Sequence, residues 1–156
     1  MKLGTPLEVS LHPFVMVCLV LLLGIIGTLL LWSWSAQRAL SEAMVLVVLL
    51  ATLLYWGKVL NVLLRVLGAW LMLRLAGETV YRVSLSMIIA MFALFFILYM
   101  FLTLLFVLFF RLTIDEMNFI VLFLLTLSIL HCFDALAESM FRHATKNQES
   151  QQNSTC

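Results

Sequence analysis

The chain has 156 residues, of which 65% are apolar and only 11% charged, with a net charge of +1. Its mean hydropathy of +1.16 means more apolar surface than a soluble domain of this length can hide, and soluble domains carry about a quarter charged residues. The same figures exclude a disordered chain, a nucleic-acid partner and a disulfide scaffold. An integral membrane protein remains, with the lipid bilayer as its first partner.

A membrane helix needs about 20 mostly apolar residues. In chain order, Thr5-Pro6-Leu7-Glu8 has the form of a capping box, with Pro at the first helical position. Pro13 then implies a short interfacial helix ahead of the first span, or a kink entering it. The uncharged run Phe14 to Trp32 gives span one, about 13–33. Twelve or more residues including Glu8 precede it, which favours a span over a cleavable signal. Span two, about 42–64, follows with Ser41 placed to cap it. The next segment, about 65–80, is rich in Leu but carries Arg65, Arg74 and Glu78. A separate span there needs too tight a hairpin at Trp56-Gly57-Lys58 and would place arginines deep in hydrocarbon. The segment is read as a basic extension of the same continuous or bent helix, which leaves the membrane near Asn61 to Arg65 and runs on along the interface to about Gly77, with Trp70 in the interfacial belt. Span three, about 83–110, is a long uncharged run containing many Phe residues that face lipid on all sides. Thr113-Ile114-Asp115-Glu116 is a second capping box before span four, about 117–136. Residues 1–143 thus form one helical domain, and 144–156 read as a disordered polar tail.

The fold class is all-α, a four-helix membrane bundle. Lys2, Lys58, Arg65, Arg74, Arg82, Arg142 and Lys146 fall on one side, and only Arg38 and Arg111 on the other. This distribution places both termini in the cytoplasm. An endomembrane such as that of the endoplasmic reticulum is favoured over the plasma membrane.

Within lipid, small residues and scarce polar contacts hold helices together. Gly24, Gly27 and Thr28 in span one, Ser86, Ala90 and Ala93 in span three, and Ser128 and Cys132 in span four form stripes expected to face neighbouring helices. His131, Asp134 and Glu138 lie on one side of span four. Lys58, Asn61 and Arg65 share a face of span two and can meet Asp134 or Glu138 to set helix register. These six residues are the candidate polar cluster. Intramembrane ionisable groups point to function, although their position near span ends also fits snorkelling flanks and rising polarity.

No metal-ligand spacing, phosphate loop or nucleophile motif occurs, so no catalytic, metal or cofactor residue is assigned and no enzyme activity is expected. The leading functional expectation is an accessory, assembly or regulatory subunit, or a membrane organiser, acting through helix contacts with a membrane-protein partner or a second copy. The alternatives are an ion or proton channel or small transporter, with Thr103, Thr126, Ser128, His131 and the Lys58 to Arg65 face in a polar lining, and a lipid-modifying enzyme using His131, Asp134 and Lys58.

Overall fold

The computed structural model describes residues 8–36, 42–78, 81–110 and 114–154. Their order is strand β1 (Glu8–Leu11), helix α1 (Pro13–Ala36), helix α2 (Glu42–Leu75), strand β2 (Tyr81–Ser84), helix α3 (Leu85–Phe110) and helix α4 (Ile114–Ser154). Among the described residues, four helices are long and apolar enough to cross a membrane. The fold is therefore all-α in its mass and compatible with a multi-pass membrane protein. Thr5 to Leu7, Ser41 and Thr113, named above in caps, lie outside the described residues.

Pro13 opens α1. Its missing N–H costs nothing at the first helical position, and the next free donor is met by His12, whose Nδ1 accepts from the Phe14 amide at 3.3 Å. Before this cap the chain is extended, which corrects the expectation of an interfacial helix: Glu8, the last residue of the supposed capping box, opens β1. β1 pairs antiparallel with β2, with Val9 opposite Val83 and Leu11 opposite Tyr81. The alternation of side chains along a strand puts Tyr81 and Val83 inward, both buried, while Arg82 and Ser10 point out.

The extension after span two is part of the same helix, as expected, and one side of it is packed against the bundle. α2 is continuous to Leu75, and Val59, Val62, Val66, Ala69 and Leu73 are all buried. Their spacing of three and four residues marks one stripe held against the bundle, so the charged residues of this segment lie on the flanks of a packed helix. Gly77 ends the helix with φ +80°. The Glu78 amide donates to the Leu73 carbonyl at 3.0 Å and the Gly77 amide to Arg74 at 3.1 Å, a Schellman closure that needs the left-handed conformation glycine adopts cheaply.

Of the tail expected to be disordered, residues 144–154 continue α4 as helix. α4 runs to Ser154, about 60 Å of helix at 1.5 Å per residue. Leu136, Ala137, Met140 and Ala144 are buried and carry the packing stripe past residue 143.

α1, α2 and α4 pack mutually around a core that includes Met16, Val20, Val62, Val66, Leu130 and Met140. α3 is different. Its helix packing is chiefly onto α4, with a further contact to β2, and only 6% of its most apolar window is buried, against 22 to 28% in the other three helices. The bundle is thus three helices with a fourth laid on the outside of α4.

Candidate functional site

The α1–α2 seam fixes the level of everything else. Gly24 faces Val59 and Trp56, and Gly27 faces Tyr55, whose ring occupies the space a side chain would need. The Tyr55 hydroxyl donates to the Leu23 carbonyl at 2.6 Å. Trp56 Nε1 donates to Thr28 Oγ1 at 2.9 Å, and that hydroxyl donates to the Gly24 carbonyl at 2.8 Å. The expected stripe of Gly24, Gly27 and Thr28 is therefore a helix contact. Further along, Pro13, Phe14 and Val17 share one small cavity with Leu67 and Trp70. Lys58 and Arg65 consequently lie beside the apolar length of α1, between the levels of Gly24 and Pro13, and not beyond its end.

At this level the polar cluster forms in part. Lys58 Nζ donates to Asp134 Oδ2 at 3.0 Å. Arg65 Nη1 lies 3.2 Å from Asp134 Oδ1, off the hydrogen-bond direction, so Oδ1 accepts no hydrogen bond in this arrangement and the contact is electrostatic. The Asp134 side chain is 16% exposed, Lys58 29% and Arg65 49%, so the carboxylate is the enclosed member and the cations reach in from the flank. Two positive charges face one negative charge.

Asn61 and Glu138 do not join. Asn61 is exposed: its short side chain cannot cross the flank that the long Lys and Arg stems bridge. Glu138, half exposed, pairs with Arg142 one turn on along α4. His131 turns towards α3 instead of α2. Its Nδ1 lies 2.9 Å from the Leu127 carbonyl, which can only accept, and 3.1 Å from the Tyr99 hydroxyl, with Nε2 3.4 Å from the same hydroxyl. The rings of Phe95 and Tyr99 lie 5.3 and 5.6 Å away. His131 and Asp134 thus serve different seams, and the set of His131, Asp134 and Lys58 does not converge.

The stripes on α3 and α4 behave differently. Ser128 and Cys132 are buried as expected. Ser86 and Ala90 are exposed, and Ala93 is half-buried. The packed side of α3 holds Phe95, Tyr99 and Thr103, so aromatic residues expected to face lipid do part of the packing. Thr103, Thr126 and Ser128 donate their hydroxyls to carbonyls of their own helices, at 2.9, 2.6 and 2.8 Å.

A second polar group, absent from the expectations above, joins the end of α2 and β2 to the far half of α4. The Tyr81 hydroxyl and Ser139 Oγ are 2.7 Å apart. Asn147 Nδ2 donates to Glu78 Oε1 at 2.8 Å, and His143 Nε2 lies 3.4 Å from Glu78 Oε2. The tyrosines carried the signal for these contacts. The chain has three, and each places its hydroxyl on another element: Tyr55 on α1, Tyr81 on α4 and Tyr99 on α4. A phenol buried among leucines seeks a partner.

Among the described residues no group of His, Cys, Asp and Glu is arranged to hold a metal ion. Comparison with protein-family models, with curated proteins and with solved structures finds no match.

Proposed function

We propose that this chain is a four-span membrane protein with both termini in the cytoplasm, acting through helix contacts as an accessory, assembly or regulatory subunit of a membrane complex. The observation that carries this reading is the placement of α3. It rests on one side of α4 and turns Ser86 and Ala90 outward. Small residues on an outer helix face let a second backbone approach closely, which is how helices associate in lipid. The polar groups of the interior support the same reading, because they are engaged with one another: Asp134 with Lys58 and Arg65, His131 with Tyr99 and Leu127.

The test is affinity purification of the full chain from native membranes, beside an Ala90→Trp variant. A stoichiometric membrane-protein partner, or a second copy, is expected with the unaltered chain and is lost with Ala90→Trp at unchanged expression. A chain that purifies alone overturns the reading. A flux assay in liposomes addresses the channel alternative: ion or proton flux that disappears with His131→Ala would replace the accessory role.

A further inference from the structure

We propose that the cavity between α2 and α4 beside Arg65 holds an anionic glycerophospholipid, with the lipid phosphate on the Arg65 guanidinium. The cavity is about 390 Å³ and is lined by Arg65, Gly68, Ala69, Ala137, Glu138 and Phe141. Four of these walls are apolar or small, and the two polar ones are Arg65 and Glu138. Such a lining suits an amphiphile with one charged end.

The sign of that charge follows from the ion pairs. Lys58 and Arg65 both face Asp134, so the cluster carries one positive charge more than its carboxylate cancels. Glu138 does not cancel it, because Arg142 is already paired with that carboxylate. Arg65 is the half-exposed member. Among the described residues its one ionic contact is the unaligned approach to Asp134 Oδ1. Its planar fork of donors is thus available to a second anion, and phosphate matches that fork bidentately.

The place for the rest of the lipid is also built. Leu60, Leu64 and Gly68 follow one another at four-residue spacing along α2. The two leucines are exposed, and nothing lies within 4 Å of the Cβ position of Gly68. The glycine is a notch beside Arg65 that takes the headgroup glycerol, and the two leucines form an apolar ridge along which the acyl chains run from the level of Arg65 toward the middle of the bundle, away from the sheet. Basic pockets between membrane helices bind anionic headgroups by the same electrostatics.

The inference rests on the chain spanning a membrane, and the experiment separates the two. Carbonate extraction of native membranes comes first: a chain released into the soluble fraction overturns the membrane reading itself, and the lipid site with it. The chain purified in detergent is then examined by native mass spectrometry with phosphatidylglycerol or phosphatidylcholine of identical acyl chains. Both lipids offer the same phosphodiester to Arg65, but the choline cation of phosphatidylcholine meets the excess positive charge of the cluster, so phosphatidylglycerol is expected to be retained about tenfold better. Arg65→Gln is expected to bring retention down to the phosphatidylcholine value, with Lys58 still neutralising Asp134. Gly68→Leu, which fills the notch in open space, is expected to lower retention with the charge cluster intact, and Glu138→Gln to raise it. Equal retention of the two lipids overturns the proposal. So does full retention in both Arg65→Gln and Gly68→Leu, or displacement of the lipid by millimolar inorganic phosphate, which would mark a site for the free anion.

Discussion

At the residue scale, three glycines separate packing from mere tolerance. A Cβ on Gly27 would sit 2.3 Å from the Tyr55 hydroxyl and ring, one on Gly24 3.2 Å from Val59, and one on Gly68 in open space. Overpacking a close contact costs about 1 to 3 kcal/mol, and replacing glycine inside a helix gains about 1 kcal/mol where space allows. Thermal unfolding in detergent should therefore rank Gly27→Ala as clearly destabilised, Gly24→Ala near neutral and Gly68→Ala as stable as or more stable than the parent. A parent-like Gly27→Ala would mean that α1 and α2 do not approach as described. The charge cluster gives a second ranking. Asp134→Leu leaves Lys58 and Arg65 facing each other uncompensated. A fully buried broken pair costs about 3 to 5 kcal/mol; here the flank exposure of Lys58 reduces that to about 2 kcal/mol. The double variant Asp134→Leu/Lys58→Met should recover most of the loss, and a double variant worse than Asp134→Leu would show that the pair is not the coupling.

At the scale of elements, what the sequence revealed and what it hid have one physical origin. Uncharged runs mark where a helix must cross, so the starts of all four helices were legible to within a few residues. Charged residues were taken as the ends of spans: the helix of span two was expected to run on to about Gly77 and does so to Leu75, whereas span four was ended near 136 and α4 runs to Ser154. Arg65 and Arg74 in α2, and Glu138 to Glu149 in α4, sit on flanks, while Val66, Ala69 and Leu73, and Met140 and Ala144, continue the buried stripe beneath them. The periodicity of small and branched residues was the better guide to helix length than the absence of charge. The partners of Asp134 were legible because Lys58 and Arg65 are two turns apart on α2, whereas the exclusion of Asn61 depends on side-chain reach, which spacing does not encode. The same logic makes the far half of α4 a structural member. Deleting residues 139–156 removes Ser139, His143 and Asn147 and uncovers Tyr81. Hydrogen exchange in β2 is expected to accelerate in that variant and to stay unchanged when only 148–156 are deleted; equal protection in both would show that α4 does not brace the sheet.

At the scale of the molecule, the sheet, the Schellman turn and the far half of α4 gather at one end of the bundle, joined through Tyr81, Glu78 and their partners. The other ends of α1 and α2 lead into 37–41, and those of α3 and α4 into 111–113. This up-and-down order accords with the clustering of basic residues on one side and gives orientation a direct test. Acceptor sites for glycosylation placed at Gln37 and Thr113 are expected to be modified and one at Gln148 is not. Modification at Gln148, or an unmodified Gln37, would reverse the cytoplasmic assignment of the termini.

The pairing of Glu8 with Ser84 also imposes a schedule. β1 leaves the ribosome before any helix, yet its partner strand follows only after α1 and α2 have been made. For that interval the first residues wait on one side with their edge amides satisfied by water alone, and the sheet can close only if two complete crossings have brought residue 81 back to the same side. A chain in which either of the first two helices fails to cross never forms the ladder. On the four-span reading, the four residue pairs of the sheet close late, and only once both crossings are complete.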